Sequence, residues 1–225
     1  MIGSFFYCVR AMDSTILPAL NEISIRQANP SFETYKKCQQ LMNFAATYPD
    51  VFIRYYASDM VLWVDSDAAY LVIPDSKSRI SGYYYLSGHP KRTKQPFLNR
   101  AILVEYKTIR HVVSSAAETE TAGLFHNAQL TIPIRRILEI LQHSQPPTPT
   151  KTDNSIANGF IHDNIQQKRS KSWDMRYHWL RKRQTRKYIF GIRKRQSCWL
   201  YNQTSPNKMS FGGKTKRRYV QDKNP

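Results

Sequence analysis

Apolar residues recur along the chain with two different periods. Before Pro49 they recur every three or four positions, which is typical of amphipathic helices. The spacing of Leu17, Leu20 and Ile23 predicts one helix. A second helix is predicted after Pro30, with Ser31 as its N-cap. Its apolar side would carry Phe32, Tyr35, Cys38, Leu41 and Met42.

From Val51 the sequence pattern changes to short runs rich in Val, Ile, Tyr and Trp, separated by clusters of polar residues. The runs are VFIRYYA (51–57), MVLWV (60–64), YLVI (70–73), ISGYYYL (80–86) and AILVEYK (101–107). They predict a meander of antiparallel strands. Asp65 and Asp67 stand between two of the runs, and we interpret this pair as a strand end, because Asp is common where strands stop.

Helical patterns follow the strands. SSAAETETAGLFHNAQ (114–129) predicts a helix capped by Ser114 or Ser115, and TIPIRRILEILQH (131–143) predicts another with Pro133 in its first turn. A proline-rich loop leads through a short polar strand to Asp153, and a basic helix over 170–184 precedes the strand-like KYIFGI (187–192). Strands followed by helices indicate the α+β class, with Asp67, Glu120 and Asp153 at element boundaries or on a helix.

Composition limits the possible classes of protein. With 41% hydrophobic residues in 225, the chain can bury a core. Its three cysteines are widely spaced and indicate neither a disulfide framework nor a zinc site. We find no apolar run of membrane-spanning length and no secretory signal, so we expect a soluble intracellular protein with no membrane partner, in a compartment that the sequence does not specify.

The basic charge is concentrated near the C-terminus. Of the net charge of +18, residues 168–225 carry +16, from 18 Lys or Arg and two Asp. Cations there alternate with aromatic residues such as Trp173 and Tyr177. This mixture favours contact with phosphates and bases of a nucleic acid. A solvated basic helix or tail and an anionic membrane surface are the alternatives.

Six stretches, in order, resemble the C-terminal portion of a copia-type retrotransposon Pol polyprotein, where reverse transcriptase runs into a ribonuclease H domain. They are GSFFYCVRAMDSTILPALNEI (3–23), VDSDAAY (64–70), SRISGYYYL (78–86), SSAAETETAG (114–123), TDNSIANGF (152–160) and KRSKSWDMRYHWLR (168–181). The resemblance covers residues 2 to about 190. It implies a helical reverse-transcriptase segment (1–57), a domain with a ribonuclease H-like mixed sheet and flanking helices (58–192), and a basic, poorly structured tail (193–225).

The resemblance also implies a site. Asp67, Glu120 and Asp153 match the family's catalytic, metal-binding carboxylates, with Asp65 and Glu118 as near neighbours in sequence. Such a domain hydrolyses the RNA strand of RNA·DNA hybrids with two divalent cations roughly 4 Å apart. Carboxylates from separate elements suit Mg²⁺, and Mn²⁺ is the second expected ion.

The basic helix would lie near the duplex and neutralise its phosphates without reading sequence. The predicted nucleic-acid-binding residues are Lys168, Arg169, Lys171, Arg176, His178 and Arg181. The expected partner is an RNA·DNA hybrid or another nucleic acid; the sequence does not predict an oligomeric state.

The resemblance stops near residue 190. Members of the family carry a fourth acid in an Ala-Asp-x-x-Thr-Lys helix, whereas the only acid after residue 190 is Asp222. A shifted reading frame beginning in the Cys198 codon permits Ala-Gly-Tyr-Ile-Thr-Lys, which suggests a frameshift. Met1 inside the reverse-transcriptase resemblance suggests a truncated reading frame. We therefore expect impaired hydrolysis; the alternatives are an inactive nucleic-acid-binding remnant and a host structural or interaction protein.

Overall fold

A computed structural model describes residues 2–11, 14–49, 54–73, 76–90, 97–162, 171–183 and 188–192. Three helices come first, then three strands, then helices alternating with two further strands. In chain order these are α1 (Ile2–Ala11), α2 (Leu17–Ile25), α3 (Phe32–Thr47), β1 (Val61–Ile73), β2 (Lys77–Ser87), β3 (Ala101–Thr108), α4 (Ala116–Ile140), β4 (Thr148–Thr152), α5 (Ser155–Ile161), α6 (Lys171–Arg183) and β5 (Tyr188–Ile192).

The five strands form one mixed sheet in the order β3-β2-β1-β4-β5. The first three are the predicted antiparallel meander, with Val64 opposite Tyr84 and Tyr83 opposite Val104. Strand β4 joins β1 in parallel, and β5 joins β4 in parallel. The α+β class and the mixed sheet with flanking helices are confirmed.

Helices cover both faces of the sheet. Leu62, Val64 and Tyr84 point to α4, where they pack with Leu138. On the opposite face, Val104 of β3 joins a cluster from the N-terminal helices, and Tyr83 packs against it. The cluster is further composed of Val9, Ile16, Leu17, Leu20, Ile23 and Leu41. Within the described ranges, no helix combines the length and the apolar character that a bilayer crossing needs.

A buried amide holds α4 to the sheet. The Asn127 side chain donates to Ser66 Oγ on β1 at 2.8 Å and to the Ser81 carbonyl on β2 at 2.9 Å, and it accepts from the Tyr84 hydroxyl at 2.9 Å. Gly82 makes room for it, because a Cβ there would lie 2.5 Å from Asn127 Oδ1. All three contacts are buried, so the position of α4 on the two central strands is strongly specified.

Strand β1 does not end at the acidic pair, so that prediction was wrong. It continues to Ile73, with Asp65 opposite Tyr83 and Asp67 opposite Ser81 in β2. The antiparallel pairing with β2 continues past the acids. It satisfies the backbone N–H and C=O groups there, so the chain does not need to turn. The register changes only after Ala69, where a bulge places Leu71 at a φ of 52°.

Two predicted helices form one. Helix α4 runs for 25 residues with Pro133 inside it. Proline removes one helical hydrogen bond, but the flanking Thr131 and Leu138 are buried and keep the helix packed on the sheet.

Two smaller predictions also fail. Of the strand predicted over 51–57, residues 51–53 lie outside the described structure, and 54–57 are not a strand. Asn99 instead bonds both the Tyr56 amide and its carbonyl. Helix α3 does begin at Ser31 with a capping box. Its predicted apolar side is only partly buried, however: Leu41 packs in the cluster of the N-terminal helices, whereas Phe32 and Tyr35 are 72% and 57% exposed.

Replacement of Asn127 by leucine should lower the free energy of unfolding by roughly 2–4 kcal/mol, because Ser66, Ser81 and Tyr84 lose their buried partner. Urea unfolding measures this loss. Gln129→Leu, the same kind of change on the exposed side of α4, is the control and should stay within about 0.5 kcal/mol of the parent protein. Equal effects of the two substitutions would show that the amide network does not anchor the helix.

Candidate metal centre

Three carboxylates from three different elements meet beside β1, where the neighbouring strand β4 ends. Asp67 lies in β1, Glu120 in the second turn of α4, and Asp153 directly after β4. One oxygen of each lies within 4.8 Å of the others. Glu120 is 5% exposed, Asp67 is half-buried and Asp153 is exposed, so the cluster opens to solvent on one side.

The shortness of β4 creates the space that the cluster occupies. In the described part of the chain, β4 pairs with β1 at Val64 and Asp65 and ends at Thr152. Beyond this point the Ala68 N–H of β1 donates to Glu120 Oε1 at 3.2 Å instead of to a strand. A side chain from the helical layer therefore reaches the edge of β1 where a strand partner would lie.

Close packing of α4 brings Glu120 to this edge. Glu120 and Asn127 are seven residues apart, which places them on the same face of the helix. Between them lies Gly123, where a Cβ would meet the Ile80 side chain at 3.3 Å and Ala68 Cβ at 3.4 Å. The hydrogen bonds of Asn127 and the lack of a side chain at Gly123 together determine how close α4 lies to β1, and so where the Glu120 carboxylate lies.

Burial and, after it, the negative charges of Asp67 and Asp153 together raise the pKa of Glu120 to about 8. Hydrogen bonds from the Ala68 amide and the Thr152 hydroxyl act in the opposite direction. Like charges this close are tolerable when a cation binds among them. Oxygen ligands are those that hard divalent cations prefer, so the donor set fits a divalent metal ion.

The two neighbouring acids lie outside the cluster. Glu118 is buried, but its carboxylate accepts from the Ser114 amide and hydroxyl, each at 2.7 Å, and so caps the start of α4. Ser115, the N-cap, in turn accepts from the Glu118 amide. Asp65 lies opposite Tyr83 on one side and Lys151 on the other, two residues before Asp67.

Helix α6 packs on α4 one to two turns after Glu120. Leu180 is fully buried against Leu124 and Ala128. Arg176 reaches the loop before α4, where its Nη1 lies 2.7 Å from His111 Nε2. Burial and the Arg176 charge both lower the pKa of His111.

Of the six predicted nucleic-acid-binding residues, Arg176, His178 and Arg181 have described side chains. His178 and Arg181 are exposed on α6, with the Arg181 guanidinium 5.9 Å from the Tyr177 ring. Lys171 begins α6, but its side chain lies outside the described structure. Lys168 and Arg169, like the tail over 193–225 with its suggested frameshift, lie outside the described residues. Contact of these residues with nucleic acid stays a prediction.

Sequence reasoning missed the groups that support the carboxylates. The Thr152 hydroxyl, the Ala68 amide and the Asn127 side chain each hold part of the site. Thr152 had a detectable signal, a β-branched hydroxyl residue directly before Asp153. The roles of Ala68 and Asn127 depend on contacts between distant segments, which a single sequence does not display.

No protein-family model matches the chain, and no curated protein matches it. Solved structures that are similar include ribonuclease H1 of Halobacterium salinarum, at 7% identity and a TM-score of 0.40 over 59% of this chain and 83% of that one. LC11 ribonuclease H1, solved with an RNA/DNA hybrid, is similar at 7% identity and a TM-score of 0.38, over 60% of this chain and 86% of that one.

A foamy viral protease-reverse transcriptase, solved with double-stranded DNA, is also similar. The match has 14% identity and a TM-score of 0.29, and it covers 80% of this chain but only 34% of the viral protein. At these levels of similarity no residue of this chain takes a role from the matched proteins. The candidate metal centre is therefore defined by its own three carboxylates.

Proposed function

We propose that the chain contains a ribonuclease H-type domain that binds divalent cations at Asp67, Glu120 and Asp153 and hydrolyses the RNA strand of RNA·DNA hybrids. The observation that carries the proposal is the convergence of these three carboxylates within 4.8 Å. They come from separate elements, and they are the same three acids that the copia-type resemblance identifies from sequence.

Each carboxylate has its own task in this proposal. Glu120 is held from inside by the Ala68 amide and the Thr152 hydroxyl, so its oxygens face the cluster in a fixed orientation. Asp67 and Asp153 are accessible to solvent and complete the cation site where a phosphate can approach. When bound, divalent cations would polarise the phosphate and lower the pKa of the attacking water.

The surroundings favour a nucleic-acid substrate. Helix α6 packs beside α4 and presents Arg176, His178 and Arg181, and the chain carries most of its charge of +18 in and after this helix. Such a surface binds phosphates without reading sequence. The choice of a hybrid, the origin in a copia-type Pol polyprotein and the preference for Mg²⁺ over other cations follow from the resemblance and are proposals.

We predict weak cleavage of a labelled RNA·DNA hybrid in Mg²⁺, more in Mn²⁺, and none in either ion for Asp67→Asn. The sequence lacks the family's fourth acid, and Mn²⁺ tolerates an incomplete oxygen shell better than Mg²⁺ does. Asp67→Asn removes a negative charge from the remaining ligands. Gel analysis of the purified protein gives the cleavage rate in each ion.

Glu139→Gln is the control for this assay, since it neutralises an exposed acid at the far end of α4. It should cleave at the parental rate. Cleavage that persists in Asp67→Asn would refute the site, whereas tight, salt-sensitive hybrid binding without any cleavage would favour the inactive remnant.

The metal-free protein should lose stability as pH rises from about 4.5 to about 8. In this window the unfolded chain releases the Glu120 proton, while the raised pKa keeps that carboxyl protonated in the fold. The contribution of Glu120 to the free energy of unfolding is fully present below its ordinary pKa of 4.5. Between this value and about 8 it falls by at most about 1.4 kcal/mol per pH unit. Urea unfolding at a series of pH values, with a chelator present, measures the slope.

Glu120→Gln should flatten this slope, because an amide does not titrate, and Glu139→Gln should leave it unchanged. Added Mn²⁺ should restore stability toward pH 8, since binding requires the ionised carboxylate. A slope that is the same in the parent protein and in Glu120→Gln would contradict the assigned pKa.

A further inference from the structure

Thr152 links the Glu120 carboxylate to the turn that carries Asp153 through a single hydroxyl. Its Oγ1 accepts a hydrogen bond from the Asn154 amide at 3.2 Å and donates to Glu120 Oε2 at 3.3 Å. Asp153 lies between the two residues that Thr152 contacts in this way. Thr152 is fully buried at the end of β4, so water does not compete for the hydroxyl.

The hydroxyl has one proton and two lone pairs, so it can accept from the Asn154 amide and donate to an ionised Glu120 carboxylate at the same time. The Asn154 amide can only donate, so Thr152 accepts there and keeps its proton for Glu120. The Ala68 amide holds the other Glu120 oxygen, Oε1. With both oxygens bonded, the plane of the Glu120 carboxylate is fixed, and the turn that carries Asp153 is tied to the same hydroxyl.

We propose that Thr152 is a positioning residue of the metal centre, which holds Glu120 and the Asp153 turn in the mutual orientation that a divalent cation requires. This inference rests on the proposed function. Thr152 would act without touching the cation or the substrate. Partners of this kind typically change metal affinity roughly 10- to 100-fold when they are lost.

The same strand offers a matched control. Thr150 lies two residues before Thr152, on the same face of β4, and is equally buried. Its Oγ1 has no hydrogen-bond partner among the described residues. Thr150→Val therefore makes the same chemical change in the same environment without removing a contact to a carboxylate.

The test measures Mn²⁺ binding to the full chain from the thermal unfolding midpoint at increasing Mn²⁺ concentration. We expect Thr152→Val to weaken binding roughly 10- to 100-fold, while Thr152→Ser and Thr150→Val stay within about twofold of the parent protein. Thr152→Ala replaces the valine variant if that variant does not fold. Unchanged Mn²⁺ affinity in Thr152→Val would overturn the positioning role and leave the proposed function standing.

A second readout needs no metal. Hydrogen exchange of the Ala68 amide in metal-free protein reports on Glu120, because the Ala68 amide and the Thr152 hydroxyl bond the two oxygens of that carboxylate. Exchange should be faster in Thr152→Val and unchanged in Thr150→Val. If the parent protein binds no Mn²⁺, the proposed function fails; faster Ala68 exchange would then still support the positioning of Glu120, and unchanged exchange would overturn it.

Discussion

The buried amide of Asn127 is the contact on which the site depends. It bonds Ser66 of β1, Ser81 of β2 and the Tyr84 hydroxyl, and it fits only because residue 82 is glycine. A helix held by apolar contacts alone can slide or rotate by fractions of a turn at little cost, whereas a fully satisfied polar network cannot. Since Glu120 lies two helical turns before this anchor, on the same face, the network that locates α4 also sets where the acid can reach.

The sheet supplies the other half of the constraint. Its antiparallel strands continue past Asp67, so β1 remains rigid there, while the parallel β4 ends at Thr152. Next to Asp67, β1 is therefore paired with β2 on one side, while the side facing β4 is open to the Glu120 side chain. Successive side chains of a strand point to opposite faces. Ser66 faces α4, so the adjacent Asp67 points to the other face. Glu120 still approaches Asp67, because it takes the position that a longer β4 would occupy. The early end of β4 therefore leaves the space in which the three carboxylates meet.

This explains why the three acids could be found from sequence although the structure around them could not. Short motifs identified Asp67, Glu120 and Asp153, and short runs rich in Val, Ile and Tyr identified β2 and β3. The strand end at Asp65 was predicted wrongly because small and acidic residues over 65–69 look like a turn when the ladder to β2 is unknown. Pro133 was predicted to start a helix because local propensity was weighed without the burial of Thr131 and Leu138. In both cases tertiary contacts overrode a local preference.

Placing an acid in this position has a cost that the rest of the fold must offset. Glu120 is nearly fully buried beside two other carboxylates, and without a cation its charge is disfavoured by both burial and repulsion. The elements that adjoin it are held by the long β1–β2 ladder, the Asn127 network and the capped start of α4. These contacts offset the unfavourable burial of the acid and keep it in place. A divalent cation would remove the penalty, so the same carboxylates that destabilise the empty fold would stabilise the occupied one.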